Sequence, residues 1–223
     1  MKKPLAKSVE VVYNKAVAYN LFRLGGRAQR EEDNMAQEKK AIYRVTLTAV
    51  FAALVFVSSM LSVPIPVAIG DVTRIHLGNI FCLLSGFVLG PLAGGLAAGL
   101  GSALYDVTNP AYIASAPFTF AFKFLLAAVC GWVAYARGSR AERHGQNILA
   151  GVAGSAAYMV LYLGKSFIEG LLLGNALVPV LAAVGTKAVT SGVNAVIAVV
   201  VSVPLYAAVR MALKKSRLLE KLG

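Results

Sequence analysis

From residue 42 to residue 213 the chain is a near-continuous series of apolar stretches about as long as a bilayer is thick, and this constrains the fold more than any motif. A hydrocarbon core about 30 Å thick is crossed by roughly 17 to 25 apolar residues in helical form. Six stretches qualify: residues 42–62, ended by Pro64 and Pro66; 75–89; 92–106, divided from the second by Gly90-Pro91; 117–136, with proline tolerated in its first turn; 148–173; and 179–213. The second and third are short, whereas the last two are long enough to tilt or extend past the lipid. Of the 223 residues 58% are hydrophobic and only 14% charged, a balance that a soluble domain of this length cannot bury. The sequence predicts an all-α integral membrane bundle of six transmembrane helices over residues 41–223, preceded by a basic extension over residues 1–40.

Charge orients the bundle. The net charge of +12 comes mainly from the first 44 residues, which hold ten Lys or Arg, from the segment 137–143 and from the tail after residue 209. With the N-terminus inside, loops 62–74, 106–116 and 174–178 fall outside and contain one basic residue, Arg74. The 137–146 loop and the C-terminus then fall inside, and both are basic, so six spans with cytoplasmic termini satisfy the positive-inside rule. Basic segments that flank apolar spans address anionic lipid headgroups rather than nucleic acid. The expected location is a cytoplasmic membrane.

The extension carries a weak helical stripe of Val9, Val12, Tyr13 and Ala16 with lysines between, so it either lies on the inner membrane surface or is a solvated basic tail. It lacks the apolar core and cleavage site of a signal peptide, and Met35 is a candidate start for the functional chain. Cys82 and Cys130 sit within apolar runs, without metal-ligand spacing, and read as packing residues; no cofactor or metal is expected.

Ionisable residues inside the spans carry the functional signal, because each costs on the order of 3 kcal/mol to insert and faces the bundle interior by default. Lys123, Lys165, Glu169 and Lys187 all fall in the outer halves of the last three helices, at the depth where Arg74, His76 and Asn79 begin the second span and Tyr105 and Asp106 end the third. A plainer reading has Lys165 and Glu169, four apart, neutralising each other and the lysines snorkelling to headgroups. Snorkelling does not require a common depth on three helices, so the convergence favours a binding pocket with net positive charge. Its expected ligand carries a carboxylate, a phosphate or several carbonyl oxygens. Asp71 and Asp106 read first as loop and cap residues. The inner half offers mainly Ser155, Ser191 and Asn194, a thin polar path for the alternative of a stand-alone carrier or channel.

Glycines at 86, 90 and 94, and at 95 and 99, space small residues for close helix contact, read as packing within the subunit. Ala49 and Ala53 make a notch on an otherwise bulky first helix, a candidate surface for a partner. Enzyme machinery is not expected: Gly164-Lys165-Ser166 lacks the upstream glycine of a phosphate loop, and His76 and His144 fall on opposite sides of the membrane.

The run Ile75-His76-Leu77-Gly78-Asn79-Ile80-Phe81, then Leu89-Gly90-Pro91-Leu92-Ala93-Gly94-Gly95-Leu96, then Gly99-Leu100-Gly101-Ser102-Ala103-Leu104-Tyr105-Asp106, resembles the substrate-binding S components of energy-coupling factor (ECF) transporters, which import vitamins in prokaryotes. The resemblance covers most of the chain from residue 41. It implies a subunit that captures a vitamin-like substrate at its outer face, while a separate transmembrane scaffold and two cytosolic ATPases supply the energy. It further implies that Ala49 and Ala53 dock on the scaffold. Riboflavin, pyridoxine, folate and pantothenate types of ligand all remain open. The basic extension departs from the family's usual short start.

Overall fold

The computed structural model describes the backbone of residues 3–70, 72–139 and 141–215, with side chains from residue 30 onward except at 32, 33 and 70. The chain divides into two compact units, Met1–Tyr43 and Arg44–Gly223. In the first, the backbone from Lys3 is helical, the opening part of α1 (Lys3–Met60), and the side chains from Asn34 to Ile42 are exposed.

The second unit is a helical bundle with one small sheet. After α1 come β1 (Ser62–Pro66) and β2 (Val72–His76), then α2 (Gly78–Thr108), α3 (Ala116–Tyr135), α4 (His144–Leu172) and α5 (Leu177–Lys215). Among the described residues five helical segments are long and apolar enough to cross a membrane. Within this unit α1 buries Phe51, Ala52, Val55, Ser58 and Ser59, a helical stripe, and the Ser58 and Ser59 hydroxyls donate back to the Val55 carbonyl at 3.1 and 2.7 Å.

α2 is one run of helix that reverses direction at Gly90. There φ is 77° and ψ −172°, a conformation open to glycine, and Pro91 starts the returning arm where its missing N–H is not needed. Ser85 Oγ donates to the Gly94 carbonyl at 2.9 Å, and Cys82 Sγ lies 3.9 Å from Ser102 Oγ, although a straight helix would separate residues 82 and 102 by about 30 Å. The two arms, 78–89 and 91–108, therefore run antiparallel, as expected of the second and third apolar stretches. Their contact is set by small residues. A Cβ on Gly94 would stand 2.6 Å from Ser85 O, one on Gly86 2.6 Å from Ala127 O, and one on Gly131 2.7 Å from Pro91 N. The glycine spacing thus serves packing inside the subunit, as expected.

The segment before α2 differs from expectation. Residues 75–77 were expected to open the second span, but the helix starts at Gly78, and β2 pairs antiparallel with β1, Ser62 opposite His76 and Pro66 opposite Val72. The alternating Val63, Ile65, Thr73 and Ile75 suit a ribbon better than a helix. Proline has no N–H to give the ladder, so Pro64 and Pro66 take positions facing away from β2. By register Arg74 and His76 then turn their own backbone groups away from β1, toward the helices.

Gly94→Ala should destabilise the bundle by about 1–3 kcal/mol, since its methyl meets backbone rather than a movable side chain. Gly192→Ala, with nothing within 4 Å of its Cβ, should not. Melting temperatures in detergent check the pair: a fall for the first and no fall for the second.

Candidate functional site

The outward-turned edge of β2 finds its partner on α5. Asn194 Oδ1 accepts the His76 N–H at 3.1 Å and Asn194 Nδ2 donates to the Arg74 carbonyl at 2.9 Å, so one side-chain amide satisfies both groups as a third strand would. The hairpin is thereby drawn against the helices, and a cavity of about 420 Å³ lies between β2 and the ends of α2, α3, α4 and α5.

Arg74 reaches into this cavity. Its Nη2 donates to Asp106 Oδ1 at 2.9 Å, and its guanidinium carbon lies 4.3 Å from the ring centres of both Tyr105 and Tyr112. Charge pairing and the two aromatic faces hold the guanidinium in place, while its buried Nη1 has no partner among the described residues. On α3, Lys123 is buried, donates to Asn79 Oδ1 and sits 3.9 Å from the Tyr158 ring centre. On α5, Lys187 donates to Ser166 Oγ at 2.6 Å and lies 5.6 Å from the Tyr162 ring centre. Lys165 and Glu169 form a 2.5 Å ion pair along α4, with Glu169 half exposed, and Lys165 lies 5.0 Å from the Phe118 ring centre. The neutralising pair of the plainer reading is thus present, yet both residues still line the cavity.

The cavity brings together Arg74, His76, Asp106, Lys123, Lys165, Glu169 and Lys187. Four fixed cations face two carboxylates, and between them run the rings of Phe118, Phe122, Tyr158 and Tyr162, the last two parallel with centres 5.6 Å apart. Such a surface suits a flat ring system bearing electron-rich oxygens. Asn79 and Tyr105 are not on the cavity wall; they stand behind it, fixing Lys123 and Arg74. His76 lies in β2, outside the helical spans. Its Nδ1 accepts the Gly78 N–H at 3.1 Å, and burial, then the charges of Lys123 and Arg74, hold the imidazole well below its usual pKa, so it contributes no charge at neutral pH. Asp106 is no mere cap residue, since it anchors Arg74. Asp71 lies outside the described residues. Ala49 and Ala53 are exposed on α1, away from the buried stripe.

Ser191 and Asn194, expected in the other half of the bundle, line this cavity instead. Tyr158, Tyr162 and Ser166 were also missed, although their fourfold spacing on α4 marks one helix face, as does the spacing of Lys187, Ser191 and Asn194 on α5.

A sequence model of the family of ECF-type riboflavin transporter S components matches residues 39–211. An uncharacterized protein of Pyrococcus woesei, from a gap 3′ region, is 29% identical over 116 residues, covering 52% of this chain and 72% of that protein. The solved structure of the S component of a bacterial ECF transporter superposes with a TM-score of 0.55 at 21% identity, covering 80% of this chain and 99% of that one. At that identity the likeness concerns the fold.

Asn194→Leu would strand two backbone groups, each costing about 1–3 kcal/mol when left unsatisfied. Amide hydrogen exchange at His76 should accelerate markedly in this variant. If Asn194 merely filled space beside the cavity, exchange in β2 would stay as in the wild type.

Proposed function

This chain belongs to the family of ECF-type riboflavin transporter S components, and on that premise we propose that its cavity captures a flavin-like vitamin at the extracellular face for import through a separate transmembrane scaffold driven by two cytosolic ATPases. Membership makes it a multi-pass membrane subunit that binds substrate for an ECF transporter, a family of transport proteins rather than enzymes. The observation that carries the finer reading is the convergence of Arg74, Lys123 and Lys187 on one cavity walled by aromatic rings. A fused heteroaromatic ring offers faces to Tyr158 and Phe118, and its carbonyl oxygens or an attached anionic group accept from the ammonium and guanidinium donors. A volume of about 420 Å³ lies within the range of small-molecule sites.

Orientation follows from counting both arms of α2 as crossings, which gives six spans from Arg44 to the end of α5. Arg44, Arg137, Arg143 and Arg210 then share one side, the cytoplasmic one by the positive-inside rule in a prokaryotic cytoplasmic membrane. The cavity, at the opposite end, opens outward. The exposed notch of Ala49 and Ala53 is the proposed contact with the scaffold, where small side chains let a partner helix approach closely.

Mass spectrometry of small molecules extracted from the purified chain tests the ligand class, with a flavin expected. Lys123→Met and Lys187→Met should each weaken ligand binding by about 1.5–3 kcal/mol, roughly ten- to a hundredfold, because a charge-assisted hydrogen bond is lost. Two unchanged dissociation constants by calorimetric titration would remove the positive cluster from the binding site. Leucine at both Ala49 and Ala53 should abolish uptake in cells that supply the other subunits, while leaving binding to the solitary chain intact. A parallel loss of binding would place the notch within the subunit's own packing.

A further inference from the structure

The other end of α4 and α5 holds a second pocket, of about 300 Å³, that the substrate site does not use. Tyr206, Arg210 and Lys214 follow one face of α5 at fourfold spacing into it, and His144 and Asn147 enter from the first turn of α4. Arg143 caps this helix without a side-chain hydrogen bond, and the first intrahelical amide is that of Asn147, donating to Arg143 O at 3.0 Å. The amides before it have no intrahelical acceptor and stand at the positive end of the helix dipole, where an anion is favoured.

Two buried polar side chains border the pocket. Asn147 is 2% exposed; its Nδ2 donates to Ala141 O at 2.8 Å, which fixes the amide's orientation, and among the described residues its Oδ1 has no partner. Tyr206 is 4% exposed and lines the pocket, its ring held against Phe87 with centres 5.3 Å apart. The opposing charge is Glu142, which accepts from Arg210 Nη2.

We propose that this pocket binds the phosphate of an anionic phospholipid with a hydroxylated headgroup, of the phosphatidylglycerol type, in the leaflet opposite the substrate cavity. Arg210 and Lys214 meet the phosphate oxygens together with the α4 amides, the Tyr206 hydroxyl donates to one of them, and a headgroup hydroxyl supplies the donor that Asn147 Oδ1 lacks. Depth favours lipid over soluble phosphate. The 29 residues of α4 span about 44 Å, the thickness of a bilayer with its headgroup layers, so its first turn lies among headgroups. Beside Arg210, Met211 is 67% exposed and offers an apolar surface to the acyl chains.

The test is native mass spectrometry of the full chain, released from detergent and titrated with phosphatidylglycerol, with phosphatidylcholine of the same acyl chains, and with inorganic phosphate. Phosphatidylglycerol should bind at least tenfold more tightly than phosphatidylcholine. Arg210→Gln and Lys214→Gln should each weaken it about fivefold. Tyr206→Phe should weaken it without changing the melting temperature. Glu142→Gln, which keeps every cation and frees Arg210, should strengthen binding, a sign that a purely structural role for the Glu142–Arg210 pair does not produce. If Arg210→Gln and Lys214→Gln fail to fold, Glu142→Gln and Tyr206→Phe decide alone. Equal retention of the two lipids, affinity unmoved by these substitutions, or displacement of the lipid by inorganic phosphate at equal concentration would each overturn the assignment.

Discussion

In hydrocarbon no water is available to a backbone amide or carbonyl, so every departure from helix has to be satisfied by the protein itself. Two of this chain's departures position the site. At Gly90 the helix reverses, and the Tyr135 hydroxyl donates to the Phe87 and Val88 carbonyls just before the break, at 3.1 and 3.2 Å. At the β1–β2 ribbon one edge carries prolines that have nothing to donate, and the other is taken up by the amide of Asn194. Moving β2 would strand its edge, and Arg74 and His76 ride on that strand. The position of the cavity wall is thus a consequence of backbone hydrogen bonding before any ligand is considered.

Charge inside the bundle is handled by the same economy of partners. An ammonium or guanidinium taken out of water needs acceptors or electron-rich faces around it. Arg74 has a carboxylate and two tyrosine rings, Lys123 an amide oxygen and one ring, Lys187 a hydroxyl and one ring. Each of these cations is thus held by at least two groups, one of them a carboxylate in the case of Arg74. Of the rings that steady the cations, Tyr112, Tyr158 and Tyr162 also line the cavity, so under the proposed function a flat ligand would meet the same aromatic faces.

The apolar stretches, their charge asymmetry and the shared depth of Lys123, Lys165, Glu169 and Lys187 were legible because insertion free energy acts on composition and spacing alone. The ribbon was not. Residues 62–76 hold two prolines and short alternating runs, and their pairing depends on contacts with α5, more than a hundred residues away in sequence. Asn194 was assigned to the wrong half for a related reason. α5 has 39 residues, about 58 Å of helix, so it exceeds the bilayer and depth counted from either end is displaced. Asn79 and Tyr105 lay at the right depth, yet depth cannot separate a wall residue from one that braces it.

The unpartnered Nη1 of Arg74 bears on why the cavity exists at all. A buried guanidinium nitrogen without an acceptor costs about 1–3 kcal/mol or more, and a fold under selection for stability alone would have closed the space or supplied a carbonyl. Asp106 already faces Arg74 through Nη2, and Tyr105 and Tyr112 fix the plane of the group, so rotating Nη1 toward another acceptor would break the pair. The donor is therefore held at fixed direction with no acceptor among the described residues, and under the proposed function it is a ligand oxygen that completes this hydrogen bond.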